Sequence, residues 1–226
     1  MPFKDRGGVP GDMRMTNWKA SGLSKDLPPA NVMHADWQGV DLAVWRSASG
    51  RLSAWVDRCP HRGMRLSHGF VRGETLACIY HGWTYGVTGA CTHIPAHPDM
   101  TPPATITATR FEVTERGGVI WIAAKDDPTA PPDIAGFQPL RSLTVQVGEQ
   151  ALLQALAADA PGLTEAEGGL RGTVQIAGLD TQICLMLQPK AQETTLHILC
   201  GAGAGPAQVS RWAESLRRQI EDRSAP

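Results

Sequence analysis

The sequence predicts a mainly β protein: an antiparallel β domain followed by a small α+β domain. Three observations carry this reading. Glycine (24) and proline (17) are plentiful while aromatic residues make up 6% of 226 positions, which favours short strands and turns over long helices. Apolar and polar residues alternate in short runs broken by glycine-containing turns. Beyond a stretch rich in proline and aspartate, KDDPTAPPDIAGFQP (125–139), the character changes and helical patterns enter.

Residues 1–15 read as a flexible arm. GVDLAVW, RSASGR and LSAWVD make a hairpin that turns at Ser49-Gly50. Phe70-Val71 and Thr75-Leu76 flank a second turn at Arg72-Gly73, and FEVTE and VIWIA flank a third at Arg116-Gly117-Gly118. Strands so short and so spaced place an antiparallel β domain over residues 16–124. Residues 125–137 read as a linker or rigid surface loop. Over 138–226, ALLQALAADAPG is a short helix ended by Pro161-Gly162, and GTVQIAG, TQICLMLQP and TTLHILC alternate as strands. From Pro206 a helix places Val209, Trp212, Leu216 and Ile220 on one face, with Arg211, Arg217 and Arg218 on a solvated side.

Hydrophobic residues form 42% of the chain, enough for a packed core, and a net charge of -1 gives no reason to expect nucleic acid or an anionic membrane as partner. No run approaches the length of a membrane span, and the start, MPFKDRGGVPGDMRM, lacks a signal peptide's apolar core. The expectation is a soluble, cytoplasmic protein. Cys59, Cys78, Cys91, Cys184 and Cys200 are then thiols or metal ligands rather than disulfides.

The chemistry concentrates in CPHRGMRLSHG (59–69) and CIYHGW (78–83). The arrangement is Cys59-x-His61, sixteen residues, then Cys78-x-x-His81, with Gly63 and Gly82 closing the two halves. Zinc accepts such donors, but its finger spacing pairs cysteine with cysteine and histidine with histidine. Mixed pairs suit a [2Fe–2S] cluster in which two cysteines hold one iron and two histidines the other. The plain alternative is histidines in turns and cysteines in a core. To produce this pattern by chance it must reproduce ligands, spacing and both glycines together.

The segment WVDRCPHRGMRLSHGFVRGETLACIYHGWTYGVTGACTHIP resembles the Rieske domain of the ring-hydroxylating and O-demethylating oxygenases, the vanillate and dicamba demethylase type included, over residues 16–124. The resemblance implies a [2Fe–2S] cluster with Cys59 and Cys78 on one iron, and His61 and His81 on the other at an exposed tip. Met64 and Tyr80 stand where the respiratory type carries additional cysteines, and Trp83 where it carries a serine. Fewer donors to the sulfurs imply a low reduction potential. Cys91, Cys184 and Cys200 read as small buried hydrophobes, and His68, His93 and His97 fall outside the motif.

The resemblance also implies a second domain with a mononuclear iron held by an N-x-x-D-x-x-H-x-x-x-x-H run and a later aspartate. Nothing here matches that run, and after His97 the sole histidine is His197. Residues 138–226 read as a reduced, iron-free version of that helix-grip fold. No catalytic residue is assigned in this chain. Three functions compete: an electron-transfer component serving a separate oxygenase subunit, a complete oxygenase with an atypical or shared iron, and a structural or sensing cluster. No G-x-G-x-x-G follows a strand, so a flavin-dependent reductase or a ferredoxin is the expected donor. Arg58, Arg62 and Arg65 are expected around the tip, facing a partner's carboxylates. Homo- and hetero-oligomers both stay open.

Overall fold

A computed structural model describes residues 17–224. The arm expected over 1–15 lies outside them. In chain order the first half opens with β1 (Lys19–Leu23), β2 (Asn31–Trp37), β3 (Val40–Arg46) and β4 (Leu52–Val56). A lobe of three-residue strands follows: β5 (Phe70–Arg72), β6 (Thr75–Ala77), β7 (Thr84–Gly86) and β8 (Cys91–His93). The chain then returns through β9 (Arg110–Arg116) and β10 (Val119–Ala123) to close a six-stranded antiparallel sheet, order β1-β10-β9-β4-β3-β2. The lobe forms its own four-stranded sheet, β5-β6-β7-β8. All three sequence-predicted hairpins are present, as β3–β4, β5–β6 and β9–β10.

The second half carries β11 (Gln138–Val145), α1 (Glu149–Asp159), β12 (Leu163–Ala166), β13 (Gly169–Ile176), β14 (Leu179–Lys190), β15 (Glu193–Cys200) and α2 (Pro206–Ser224). Its antiparallel sheet runs β11-β15-β14-β13-β12. Strand alternation gives this sheet two working faces. Ile183, Leu185 and Leu187 meet Leu152 and Leu156 of α1 and Val209, Leu216 and Ile220 of α2 in one core. Cys184, Met186 and Leu199 point the other way, onto Trp18 and Trp121.

VIWIA explains how the halves join. An unbroken apolar run is buried on both sides. Ile120 and Ile122 enter the core of the first sheet, whereas Val119, Trp121 and Ala123 enter the core shared with the second half. The turn before it has Gly117 and Gly118 at φ 61° and 73°. A Cβ on Gly117 would come within 2.4 Å of Ile134, and one on Gly118 within 2.5 Å of Pro139. The bare turn therefore admits the segment that enters the second half. Residues 125–137 form no strand or helix, yet Ile134 is fully buried, Trp18 donates to the Thr129 carbonyl at 2.8 Å, and Arg116 donates to that of Pro131 at 2.8 Å.

Candidate metal centre

The two halves of the motif sit in two loops, one after β4 and one between β6 and β7, and both close in the same way. The Cys59 N–H donates to the Met64 carbonyl (2.8 Å) and Gly63 N–H to the Cys59 carbonyl (2.8 Å). The Cys78 N–H donates to the Trp83 carbonyl (2.9 Å) and Gly82 N–H to the Cys78 carbonyl (3.0 Å). Gly63 and Gly82 take φ of 73° and 69°, where a side chain is strained. The glycine follows its cysteine by four positions in both loops although the histidine offset differs by one. Loop closure, rather than the histidine, sets the glycine's place.

Depth sorts the four side chains. Cys59 and Cys78 are 4% and 3% exposed, while His61 is half-buried and His81 exposed. The imidazole centroids lie 4.7 Å apart. His61 stacks on Trp83, with centroids 4.1 Å apart and planes 4° off parallel, and the Tyr80 ring lies 3.9 Å from His81. Partial burial first, then His81 and Arg62, hold the His61 imidazole below its ordinary pKa, which favours the neutral form that binds metal. Burial raises the Cys78 pKa, opposed by the N–H groups of Tyr80 and His81 directed at its sulfur.

These donors fit a [2Fe–2S] cluster with unlike ends: buried sulfurs on one side, imidazoles toward solvent on the other. Among the described residues no three Cys, His, Asp or Glu side chains converge on one point, as a single zinc ion would require.

Residues outside the motif complete the setting. The Tyr85 hydroxyl lies 3.1 Å from the Cys59 sulfur, and burial keeps the phenol protonated. Were Cys59 to hold a metal, its sulfur would carry no proton and Tyr85 would be the donor. Trp55 meets Tyr85 edge-on at 6.3 Å and Trp45 meets Trp55 at 5.0 Å, a fully buried aromatic floor between the large sheet and the lobe. Asp57, buried, accepts from the Ser67 N–H (2.7 Å) and hydroxyl (2.6 Å) and fastens the first loop. Sequence reading missed Tyr85 and Asp57; a tyrosine seven residues after Cys78 was the available signal for the first.

Arg65 differs from expectation. It bridges Asp41 (3.0 Å) and Asp57 (3.5 Å), and Asp41 also takes His34 at 2.6 Å, so its charge is spent within the fold. His68, His93 and His97 are exposed and make no hydrogen bond or ring contact with the four motif side chains. Cys91, Cys184 and Cys200 are buried free thiols; Cys91 packs in the core beside Cys59 and Cys78, and burial pushes the Cys184 thiol up to about 11.

In the second half His197 is 3% exposed where β15 faces the first half. Its Nδ1 lies 2.8 Å from the Ser142 hydroxyl and its Nε2 3.1 Å from Gln188 Oε1, while the Gln188 amide donates to the Asp36 carbonyl at 3.0 Å. Both ring nitrogens are engaged, and burial pushes its pKa down to about 4.

Comparison with known proteins agrees with this geometry. The Rieske [2Fe-2S] domain family matches residues 17–113. Over 118 residues the chain is 43% identical to the oxidoreductase NdmD of Pseudomonas putida, covering 52% of this chain and 20% of that protein. Over 116 residues it is 29% identical to the toluene-4-sulfonate monooxygenase system iron-sulfur subunit TsaM1 of Comamonas testosteroni, covering 51% and 33%. The chain thus spans a third or less of the length of these curated relatives. The crystal structure of apo dicamba monooxygenase superposes with a TM-score of 0.71 at 19% identity, over 92% of this chain and 86% of that one, which shows a shared fold through the second half. With paired loops, buried sulfurs and surface imidazoles in place, residues 17–113 are a Rieske [2Fe-2S] domain, and the protein is related to the components of Rieske oxygenase systems.

Proposed function

We propose that this protein is an electron-transfer component that passes single electrons from a flavin-dependent reductase or a ferredoxin to a separate non-haem iron oxygenase subunit. Cys59 and Cys78 would hold one iron of the cluster, and His61 and His81 the other. When bound, the cluster takes up and releases one electron at a time. The chain's own residues do the rest. The loops keep the sulfurs out of water, Tyr85 steadies charge at Cys59, and Trp83 and Tyr80 orient the imidazoles at the surface where a partner reaches them.

The observation that carries this reading is His197. It is the sole histidine after His97, it is buried, and both its nitrogens are bonded to neutral partners. Oxygen activation at a mononuclear iron needs two histidines and a carboxylate with open positions. Among the described residues no such triple gathers. A second reading, a complete oxygenase with an atypical or shared iron, draws on the dicamba monooxygenase-like fold of the second half. Iron analysis with EPR separates them. The expected result is two irons per chain, a Rieske signal on reduction, and no product from the protein with reductase and O2 alone. Three irons per chain, with turnover abolished in His197→Ala, would establish the second reading.

A further inference from the structure

A cavity of about 440 Å³ opens where the two halves of the protein meet, and no residue of either motif loop lines it. Ligand pockets run from roughly 300 to 1,000 Å³, so its size suits a small molecule. Part of its wall is apolar: Leu153 of α1, Leu170 of β13 and Leu187 of β14. Its charges do not balance. Three carboxylates, Asp36, Glu149 and Glu165, face one ammonium, Lys19. Glu149 and Glu165 are exposed and need no partner but water. Asp36 differs. It is 8% exposed, its Oδ1 accepts the Gly39 N–H at 3.0 Å, and among the described residues its Oδ2 takes no hydrogen bond and no ion pair. A buried carboxylate left half-paired costs free energy until a donor reaches it. Gln188, on the same wall, does not supply one: its amide donates to the Asp36 backbone carbonyl at 3.0 Å and its Oε1 meets His197 at 3.1 Å. No histidine or cysteine lines the cavity, and among the described residues no three metal-ligating side chains converge. Carboxylates dispersed around leucines suit a cation that carries hydrocarbon, rather than a metal ion in an oxygen cage.

We propose that this junction cavity binds a small organic cation, an alkylammonium, with its ammonium on Asp36 and its hydrocarbon against Leu153, Leu170 and Leu187. An ammonium brings three N–H donors and a positive charge, which meet the free oxygen of Asp36 and offset the excess of carboxylates. Each methylene laid on the leucines adds affinity. Lys19 competes for the same carboxylates and weakens the ligand's hold. Asp36 belongs to the first half and the leucines to the second, so the bound cation ties the halves together and stability rises with its concentration. No covalent or redox step is involved, and the site serves an electron carrier or a complete oxygenase alike.

Isothermal titration of the holoprotein with n-hexylammonium tests this, with hexanoate, hexanol and Mg²⁺ as comparisons. Hexylammonium should bind saturably, one per chain, and raise the urea midpoint; n-butylammonium should bind more weakly. Hexanol and hexanoate should bind about tenfold more weakly or worse. Asp36→Asn keeps an acceptor for the Gly39 N–H and should weaken hexylammonium about tenfold or more. Lys19→Gln removes the competing ammonium and should tighten it. Asp99→Asn, the same loss of charge on an exposed loop, should leave the affinity as it was. Urea midpoints without ligand report whether each variant keeps its fold, and Lys19→Gln serves as the test should Asp36→Asn unfold. Preferential binding of hexanoate, lost in Lys19→Gln, would make this an anion site. Displacement of hexylammonium by Mg²⁺ would make it a metal site, and equal binding of hexanol would leave a merely apolar cavity. Those results, no saturable binding, or an affinity indifferent to both Asp36→Asn and Lys19→Gln would each overturn the proposal and leave the cluster and its electron transfer untouched.

Discussion

At the residue scale, one hydroxyl bears on the redox behaviour of the site. The Tyr85 hydroxyl lies 3.1 Å from the Cys59 sulfur in a fully buried position, and with the proposed cluster bound it would donate to that sulfur. Such a bond favours the reduced, more negative cluster and raises the potential. Tyr85→Phe removes the donor and little else. A hydrogen bond to a charged group is worth about 1.5–3 kcal/mol, and for one electron 59 mV corresponds to about 1.4 kcal/mol. Because the bond exists in both redox states, the expected fall is several tens of millivolts, read by potentiometric titration with circular dichroism. An unchanged midpoint would strip Tyr85 of this role. The sequence points to a low potential from Trp83 standing in the place of a serine, and Tyr85 works against that. The spacing of the motif is legible in the sequence because the two loops close alike, with a glycine four positions after each cysteine. Tyr85 is not, since it reaches Cys59 only through the pairing of β6 with β7, Leu76 opposite Tyr85, and the packing of the lobe on Trp55. Arg65 shows the converse: sequence counts its charge, while the folded chain cancels it with Asp41 and Asp57.

At the scale of elements, legibility follows length and burial. β3, β4, β10, β13, β14 and β15 announce themselves through alternation or unbroken apolar runs, and α2 through its apolar stripe of Val209, Leu216 and Ile220. β5 to β8 have three residues each, too few for a period to show; β5 and β6 are legible through the Arg72-Gly73 turn between them, β7 and β8 are not, and β2 is an edge strand whose pattern is mixed. The β9–β10 turn gives the clearest element-level test. Gly117 is at φ 61°, and a Cβ there would lie 2.4 Å from Ile134. Gly117→Ala should cost about 1–3 kcal/mol from strain and overlap. Ile134→Ala should recover part of that cost, because it removes the overlap but not the backbone strain. Urea unfolding of the two single variants and the double gives the coupling; strict additivity would show that the turn does not clamp the segment leading into the second half.

On the scale of the whole molecule, the two sheets meet across a core that holds Trp18, Trp121, Cys184, Met186 and Leu199. Beside it, a polar chain crosses the same junction: Ser142 to His197, His197 to Gln188, and Gln188 to the Asp36 carbonyl. His197 is the titratable link. Its folded pKa, pushed by burial to about 4, lies below its ordinary value of 6.5. Between those values the unfolded chain binds a proton that the folded protein refuses. Stability from this residue is therefore complete above about pH 6.5 and is lost as pH falls toward 4. At 1.36 kcal/mol per unit the loss is of the order of 3 kcal/mol. His197→Gln keeps hydrogen-bonding capacity without the titration, so its stability should change less across this window, though it starts lower at pH 7. The carboxylates held low by partners, among them Asp41, titrate in both proteins and cancel in the difference. Urea midpoints at half-unit steps from pH 7 to 4.5 measure it. Parallel curves for wild type and variant would mean that His197 takes up its proton without loosening the junction. Converging curves mean that acid opens the contact between the Rieske half and the sheet behind it.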